Sequence, residues 1–457
     1  MKRRQAIGHQ RISLRLTGFG MLAAVLAIPA AYAEPGDHIR VGEAELIPSV
    51  SLGLDWNSNV YRTAGSLGNE PDPTPGANLT VGPKLELGLN GPDAILKTSG
   101  SWGIRKFFVP EQTNLDNFSE ADVRFSLDLL PNAVVGFKTN DSFKRSITPS
   151  ETPEAEDSLL RRTRAELGGA LAIHPGDALA LDVGGFYQFN DYNLPSSAID
   201  ADLNRKNTFG PRLNLKWTFF PKTALVSDFE LAINRWENNI IDATTDAQGT
   251  QADLGAALAM PDSTLWKARA GLVGRFTQRL VLNLVAGYGG GIYDADSVTS
   301  DPAASETVDD SGTTYGDELD TSAFDVNVTG LDGLLIATGI EWVPRPAHTM
   351  TLGYTKDFSD SWFTNYIAYH YAYARYKTLV ASRVGLYLEG GYRNEGYVGE
   401  VTRTDHFLKA KTGASYNATG WMDAGLDFGW TRRVNADGNA AIDFDNFAIT
   451  GALTFSY

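Results

Sequence analysis

The 457-residue sequence contains no cysteine, only six histidines and no long apolar run after its N-terminal region. The absence of cysteine excludes a disulfide framework, a thiolate metal site, a cysteine nucleophile and a lipid anchor on an N-terminal cysteine. No stretch beyond residue 33 reaches the roughly 18 consecutive apolar residues that a membrane-spanning helix needs. The chain is therefore expected to be built without disulfides, redox chemistry or helical membrane spans.

The first 33 residues have the layout of a secretory signal peptide. Five basic residues accompany an apolar run over 18–30, and Ala31-Tyr32-Ala33 is a small-residue cleavage motif. A first transmembrane helix is the alternative, but the run is short for one. We expect cleavage after Ala33.

Basic residues are scarce in the remaining chain. Removal of residues 1–33 leaves 34 basic and 55 acidic residues, a net charge of −21. Nucleic acid is therefore not an expected partner, because phosphate binding needs a basic face. An exported, acidic chain with 49 aromatic residues and 46 glycines fits a soluble β protein or an outer-membrane barrel.

Apolar residues alternate with polar ones over unusually long runs. Two such runs cover 46–56 and 79–89, and other runs reach 12 to 16 residues. A β-sandwich needs strands of only about six residues, whereas ~12 residues tilted by ~40° cross an apolar band of ~30 Å. The alternation predicts an all-β, up-and-down antiparallel barrel with lipid outside and water inside.

Turn-rich short links alternate with mostly longer polar links. This pattern predicts 18 strands, with 16 as the alternative because the link at 359–361 is short for a loop at the outer end. We expect a signal peptide (1–33), a periplasmic segment (34–43) and an outer-membrane barrel (44–457) of a Gram-negative bacterium, with both termini in the periplasm. The short links are expected at 90–92, 130–132, 174–177, 220–223, 277–279, 344–346, 376–378 and 417–420.

The last strand ends the chain on an aromatic residue. Phe455 and Tyr457 resemble the C-terminal signal by which the barrel-assembly machinery recognises its substrates, although tyrosine stands where phenylalanine is commoner. We expect these two residues to serve assembly, and outer-membrane lipid to surround the strands.

The less apolar face of each strand predicts the lining of the pore. Basic and acidic residues nearly balance on this face, so the sequence does not predict strong ion selectivity. The candidate pore-lining residues are Lys84, Arg105, Arg124, Arg162, Arg164, Glu166, Phe186, Arg212, Lys216, Glu230, Arg269, Arg383, Tyr387, Lys409, Lys411 and Trp421.

Two features of this lining have alternative interpretations. Arg162 and Arg164, with Arg212 two strands away, fit either a basic ladder in a constriction or structural pairing with Glu166 and Glu230. The aromatic rings suit stacking on the C–H face of a sugar, but rings near strand ends also form interfacial girdles.

The acidic segment 294–325 carries ten carboxylates and no Lys or Arg. It is interpreted either as a solvated surface loop or as a constriction or cation site.

No residues with a catalytic pattern are found. The mature chain has five histidines, and the sequence contains no Gly-x-Ser-x-Gly elbow and no His-Glu-x-x-His motif. The sequence therefore predicts no enzyme, no cofactor, no metal centre and no catalytic residues.

The segment 46–61, LIPSVSLGLDWNSNVY, resembles the opening strand of the beta-barrel porin type 2 family. In that family an apolar-Pro-x-apolar strand leads into an end rich in Asp and Asn, followed by an apolar and an aromatic residue. Within the family, the chain resembles most the outer-membrane porins of exopolysaccharide export, such as those of myxobacteria. The resemblance implies a passive conduit for a polysaccharide, working with a periplasmic polysaccharide-export protein.

Two other functions remain open from the residues. A general or sugar-selective diffusion porin should have an inward-folded loop, whereas an exporter needs a bore wide enough for a hydrated glycan. A structural or adhesive surface barrel with a plugged lumen is the third alternative.

Overall fold

The computed structural model describes 18 long strands and the short links between them. The described residues are 38–60, 62, 73–109, 118–149, 159–193, 202–237, 240–241, 258–294, 307–308, 314–315, 329–361, 364–399, 402–438 and 443–457. The expected signal peptide and most of the acidic segment 294–325 lie outside these ranges. Within these ranges, no helix has the length and hydropathy to cross a bilayer.

The long strands contain 12 to 19 residues each, as the length of the alternating runs predicts. They are β1 (Ala44–Asn57), β2 (Gly76–Asn90), β3 (Ala94–Phe108), β4 (Phe118–Leu129), β5 (Val135–Pro149), β6 (Leu159–Gly176), β7 (Leu179–Asn193), β8 (Asp202–Phe220), β9 (Thr223–Trp236), β10 (Asp262–Thr277), β11 (Leu280–Asp294), β12 (Leu331–Arg345), β13 (His348–Asp360), β14 (Tyr366–Val380), β15 (Val384–Val398), β16 (Arg403–Thr419), β17 (Met422–Asn435) and β18 (Phe444–Ser456).

The 18 strands form one closed antiparallel barrel. Each strand pairs with the next in the chain, and β18 pairs with β1 over Ser49–Asn57. Closure removes the free sheet edges that an open sheet of this size would expose. The all-β, 18-strand, up-and-down architecture predicted from the sequence is confirmed.

The seam between the first and last strands is completed by the start of the chain. A short strand, Ile39–Val41, folds back on the base of β1, where β18 no longer reaches. The backbone N–H of Tyr457 donates to the carbonyl of Pro48 at 3.0 Å. Residues 39–41 of the segment 34–43, expected as a periplasmic lead-in, therefore pair with the sheet.

The two faces of the wall differ in polarity. The outer face presents exposed apolar side chains from strand after strand, and no other described residues form a layer against them. Examples are Leu52, Leu54, Leu167, Leu171, Leu284, Leu352 and Leu388. The inner face carries ion pairs between strands that are not neighbours, such as Lys267 on β10 with Asp357 on β13. Only the inside of a closed barrel allows such a contact.

Eight short turns lie at the end of the barrel that also holds both described termini. This end is called the short-turn end, and the other the long-link end. Seven turns overlap the predicted positions, but the turn expected at 376–378 is wrong: these residues belong to β14, and the turn is 381–383. Ala381 and Ser382 adopt φ of 51° and 60°, as in a type I′ turn, without the Gly or Asn that normally marks one.

Candidate functional site

Most of the predicted pore-lining residues lie on the inner face of the wall. Their strand positions alternate with the exposed apolar side chains of the outer face. They are Lys84, Arg105, Arg124, Arg162, Arg164, Glu166, Phe186, Arg212, Lys216, Glu230, Arg269, Tyr387, Lys409 and Lys411.

Two predicted pore-lining residues lie elsewhere. Arg383 belongs to the turn 381–383, because β14 is longer than the sequence suggested. Trp421 lies in the turn between β16 and β17, where its ring stacks on that of Phe455 at 6.1 Å. Phe455 faces outward and is 40% exposed. Arg383 is thus a turn residue at the short-turn end, and Trp421 stacks on an outward-facing ring at the rim of the barrel.

Strands β6 to β9 carry a row of matched charges on the inner face. Arg164 Nη2 donates to Glu166 Oε2 and to the amide oxygen of Gln188, both at 2.8 Å. Arg212 Nε donates to Glu230 Oε2 at 2.9 Å, and its Nη1 lies 3.8 Å from Glu166 Oε1. Of the two interpretations of these arginines, structural pairing describes Arg164 and Arg212.

An aromatic ring lies against this row. Phe186 on β7 is buried, and the guanidinium of Arg212 lies 4.6 Å from the centre of its ring. The ring faces the lumen side of the wall because it shares its strand face with Asp182 and Gln188. The ring is thus covered by Arg212 and by the wall, so Phe186 does not present a free face to the lumen.

The matched row continues from β9 to β13 across the lumen. Arg269 Nε donates to Asp228 Oδ2 at 2.8 Å, and its Nη1 donates to Asp357 Oδ2 at 3.4 Å. Lys267 Nζ donates to Asp357 Oδ1 and to the carbonyl oxygen of Phe358, both at 2.7 Å. Asp357 on β13 is thereby held by two cations of β10.

The ends of β13 and β14 at the long-link end turn into the lumen. The ladder between β12 and β13 stops at the pair Ile336–Lys356, while β12 continues to pair with β11 as far as Leu331. The end of β13 still pairs with β14. Strand β14 in turn stays paired with β15 as far as the pair Tyr366–Val398, so the wall opens between β12 and β13. The residues 357–361 and 364–367 are called the inturned hairpin end.

An apolar cluster holds the inturned hairpin end against the wall. Phe358 is 3% exposed and packs in one cluster with Leu265 on β10, Leu335 on β12, and the rings of Tyr293 and Tyr366. Phe358 lies six residues after the outward-facing Leu352, so strict alternation would place its side chain on the outer face. It is instead buried inside the barrel.

A glycine on β11 makes room for this cluster. A Cβ added at Gly289 would lie 2.7 Å from the Phe358 ring and 2.9 Å from the carbonyl oxygen of Trp266. A larger residue at this position would push the Phe358 ring away. At Gly333, the residue on β12 that pairs with Gly289, an added Cβ would have no atom within 4 Å. The lack of space for a larger side chain is therefore specific to Gly289.

Polar contacts hold the tip of the inturned hairpin end from three strands. Lys206 on β8, 4% exposed, pairs with Asp360. Tyr293 Oη on β11 donates to the carbonyl of Asn365 at 3.1 Å. Thr364 Oγ1 donates to the carbonyl of Val398 on β15 at 2.9 Å. The tip is thus fixed inside the lumen at the long-link end, which it narrows.

A cavity of about 370 Å³ adjoins this tip. Its lining includes Arg162 on β6 and Lys409 on β16, which are ten strands apart in the 18-strand ring and so belong to opposite walls. Ser359 and Ser361 of the hairpin end also line it. The inturned hairpin end therefore brings the two walls to one compact site.

A second cavity lies in the short-turn half of the lumen. It has a volume of about 890 Å³ and is lined by strands β1 to β5, with Lys84, Glu86, Asp122 and Arg124 among its residues. Arg124 Nε lies 3.0 Å from Asp122 Oδ1, and Lys84 Nζ lies 2.5 Å from Glu86 Oε1. These four charges are again matched in pairs.

The remaining predicted residues have separate surroundings. Arg105 Nη2 pairs with Glu120 at 3.0 Å near the long-link end. Tyr387 Oη donates to Asp427 Oδ1 at 2.8 Å. Lys216 is exposed on the inner face of β8, nearer the short-turn end.

Sequence reasoning missed the residues that place the inturned hairpin end. Asp357, Phe358 and Asp360 were not singled out, because strict alternation continues the wall to the end of β13. The short link expected at 359–361 was the available signal, and the structure has it at 361–365. No groups of His, Asp or Glu suited to a metal ion occur in the described ranges.

Comparisons with known proteins give no close relative. No family model matches the sequence, and no curated protein matches it. Among solved structures, the FrpB iron transporter from Neisseria meningitidis is 10% identical with a TM-score of 0.46, over 85% of this chain and 61% of that one. OpdK from Pseudomonas aeruginosa, solved with vanillate, is 11% identical with a TM-score of 0.45, over 90% and 99%. The copper transporter OprC is 10% identical with a TM-score of 0.44, over 93% and 82%.

The chain thus spans less than two thirds of FrpB. At identities near 10% and TM-scores below 0.5, no solute or partner passes from these proteins to this chain.

Proposed function

We propose that this chain is a channel, not an enzyme, in the outer membrane of a Gram-negative bacterium. The apolar outer face has no protein layer against it, and lipid is the environment that such a face requires. Barrels of 16 to 18 strands enclose an aqueous lumen. Barrels of this class place their short turns in the periplasm, so the short-turn end and both termini are assigned there.

The proposed solute is a carbohydrate. The observation that carries this proposal is the matched row on β6 to β9, where Arg164, Glu166, Arg212 and Glu230 satisfy one another beside the ring of Phe186. Matched charges give a wall that forms hydrogen bonds without a strong net field, which suits a hydroxyl-rich solute better than a simple ion.

The finer proposal is export of an exopolysaccharide. The resemblance of residues 46–61 to the beta-barrel porin type 2 family, within which the chain most resembles export porins, supports it. An 18-strand barrel also encloses an aqueous bore. A periplasmic polysaccharide-export protein is the proposed partner at the short-turn end. The inturned hairpin end must then move aside while the polymer passes, because it occupies part of the outer lumen.

Diffusion of small sugars is the second candidate function. The inturned hairpin end favours it, since an inward-folded constriction is the feature expected of a diffusion porin. A constriction fixed from three strands limits the size of the solute without needing to move.

An in-frame deletion in the native bacterium separates the two candidates. Surface polysaccharide is scored by dye binding, and uptake of small sugars is measured in parallel. Loss of surface polymer with normal uptake is the result expected for the export conduit. Normal polymer with slowed uptake would assign the chain to diffusion, and no change in either would reject the carbohydrate channel.

The assembly role of the C-terminal residues is also proposed here. Phe455 presents its ring on the outer face, and the Tyr457 backbone closes the seam onto Pro48. The double variant Phe455→Ala/Tyr457→Ala is expected to lower the amount of folded barrel in the outer membrane, because the assembly machinery no longer recognises the strand. The measurement is heat-modifiable mobility of membrane fractions, with Phe447→Ala, an outward ring of the same strand, as the control.

A further inference from the structure

Two neighbouring tyrosines on β14 face the lumen. Tyr371 and Tyr373 lie on the strand face opposite to that of Ala374, whose cross-strand neighbour is the outward-facing Leu352. The centres of the two rings are 5.3 Å apart, and their planes differ by 20°. Both side chains are half-buried, whereas Phe186 on the opposite wall is buried. The two tyrosine rings are therefore in contact with the water of the lumen.

A glycine of a neighbouring strand lies beneath each ring. A Cβ added at Gly353 on β13 would overlap the Tyr373 ring, and one at Gly391 on β15 would lie 3.0 Å from Cε2 and Oη of Tyr371. Because these positions carry no side chain, each ring approaches the backbone of the next strand. The wall thus supports the rings from one side, and the part that it leaves uncovered faces the lumen.

Tyr387 on β15 continues the row toward the short-turn end. It pairs with Lys377, six residues after Tyr371 along β14. A Cβ added at Gly413 on β16 would lie 2.5 Å from its Cε1, and its Oη donates to Asp427 on β17. At ~3.3 Å per residue, the row extends over roughly 20 Å of the wall. The three tyrosines at positions 371, 373 and 387 are called the tyrosine track.

The hydroxyls of Tyr371 and Tyr373 are available to a solute. Neither forms a hydrogen bond within the part of the chain that the structure describes, and neither oxygen is buried. The charge beside them is paired, since Arg375, 6.0 Å from the centre of the Tyr373 ring, donates to Glu389. The track therefore combines aromatic surface and hydroxyls with little net charge.

We propose that the tyrosine track is the binding path for the sugar rings of a neutral glycan chain. A pyranose carries apolar C–H groups on its faces and hydroxyls around its rim. Packing on a tyrosine ring removes the C–H groups from water, while the rim forms hydrogen bonds with the tyrosine hydroxyls. Rings at successive levels contact successive sugar units, so a chain binds better than a single sugar. This inference rests on the proposed carbohydrate channel and specifies its solute as uncharged.

The test measures block of the ion current through the purified full chain in planar lipid bilayers. Maltohexaose is the probe, glucose reports the effect of chain length, and polyethylene glycol of similar mass reports the effect of size alone. Maltohexaose is expected to block at a lower concentration than either. In Tyr371→Ala/Tyr373→Ala its half-blocking concentration is expected to rise about fivefold, because two ring contacts are lost.

Tyr354→Ala is the matched control. Tyr354 lies next to Gly353 on β13 but shares the outward face of Leu352, so its loss should leave the block unchanged. Equal block by maltohexaose and polyethylene glycol, or equal block of wild type and the alanine double variant, would overturn the inference. If the double variant fails to insert, Tyr387→Ala tests the third ring, and an unchanged block in that variant would likewise overturn it.

Tyr371→Phe/Tyr373→Phe separates the rings from their hydroxyls. The rings remain in this variant, so its half-blocking concentration should lie closer to that of wild type than to that of the alanine double variant. A loss equal to that of the alanine double variant would mean that the hydroxyls alone bind the sugar, and packing on the rings would be rejected.

These results are distinguishable from failure of the proposed function. Loss of surface polymer in the deletion strain, with equal block of wild-type and alanine-variant channels, would keep the export conduit and reject the tyrosine track. Block that depends on the two rings, in a deletion strain with normal polymer and normal uptake, would keep the track as a sugar site and reject sugar transport as the function in the cell.

Discussion

The matched row on β6 to β9 and the cavity beside the hairpin end contain the same types of charged residue. They differ in whether a basic residue has an acidic partner on the neighbouring strand. In the row, Arg212 has Glu230 within 2.9 Å, and the guanidinium helps to hold the wall. In the cavity, Lys411 has no such partner in the described chain. Whether a lumen charge is structural or available to a solute therefore depends on the residue one strand away.

The inturned hairpin end borders this cavity, and its release is expected to have the largest effect. In Asp357→Asn/Phe358→Ala, Lys267 and Arg269 lose a carboxylate and the apolar cluster loses its central ring. The hairpin end should leave the lumen, and we expect single-channel conductance to rise about twofold or more as the narrowest section widens.

Asp228→Asn is the control for that variant. It removes the other carboxylate of Arg269 but leaves the hairpin end in place, so conductance should stay near the wild-type value. A double variant with wild-type conductance would mean that the hairpin end does not limit the flow of ions.

A smaller effect is expected from Gly289→Ala. The added methyl would lie 2.7 Å from the Phe358 ring and must displace it without removing any charge contact. Conductance should fall between that of wild type and the released double variant. Gly333→Ala adds the same methyl to the paired residue of β12, where nothing lies within 4 Å, and should change nothing. Equal effects of the two alanines would remove the packing role assigned to Gly289.

The wall was predictable from the sequence, and the exceptions have local causes. Period-two alternation sets which face of a strand meets lipid, so residues such as Arg164 and Glu230 could be assigned to the inner face directly. The register that pairs Arg212 with Glu230 depends on the neighbouring strand and could only be offered as an alternative. Trp421 was assigned to the lumen by parity, although its place in a turn puts it at the rim.

The hairpin end was not predictable by the same reasoning. Alternation holds only while a strand stays in the wall, and β13 leaves it after Lys356. Phe358 therefore has outward parity and an inward position. The turn at 381–383 was missed for a different reason, because Ala381 and Ser382 take positive φ without a residue that favours it.

The smallest predicted effect is on the free energy of unfolding, and it separates the paired cation Arg212 from Lys411, which has no acidic partner in the described chain. Arg212→Ala leaves Glu230 without its nearest cation and removes a side chain that covers Phe186. We expect the free energy of unfolding to fall by about 0.5–1 kcal/mol. The value is modest because the ion pair is partly exposed. Lys411→Ala breaks no ion pair in the described chain and should leave the unfolding free energy unchanged. Urea unfolding in lipid vesicles, followed by tryptophan fluorescence, measures both. A loss of stability in Lys411→Ala equal to that in Arg212→Ala would mean that Lys411 is a structural cation as well, and the distinction between the row and the cavity would fail.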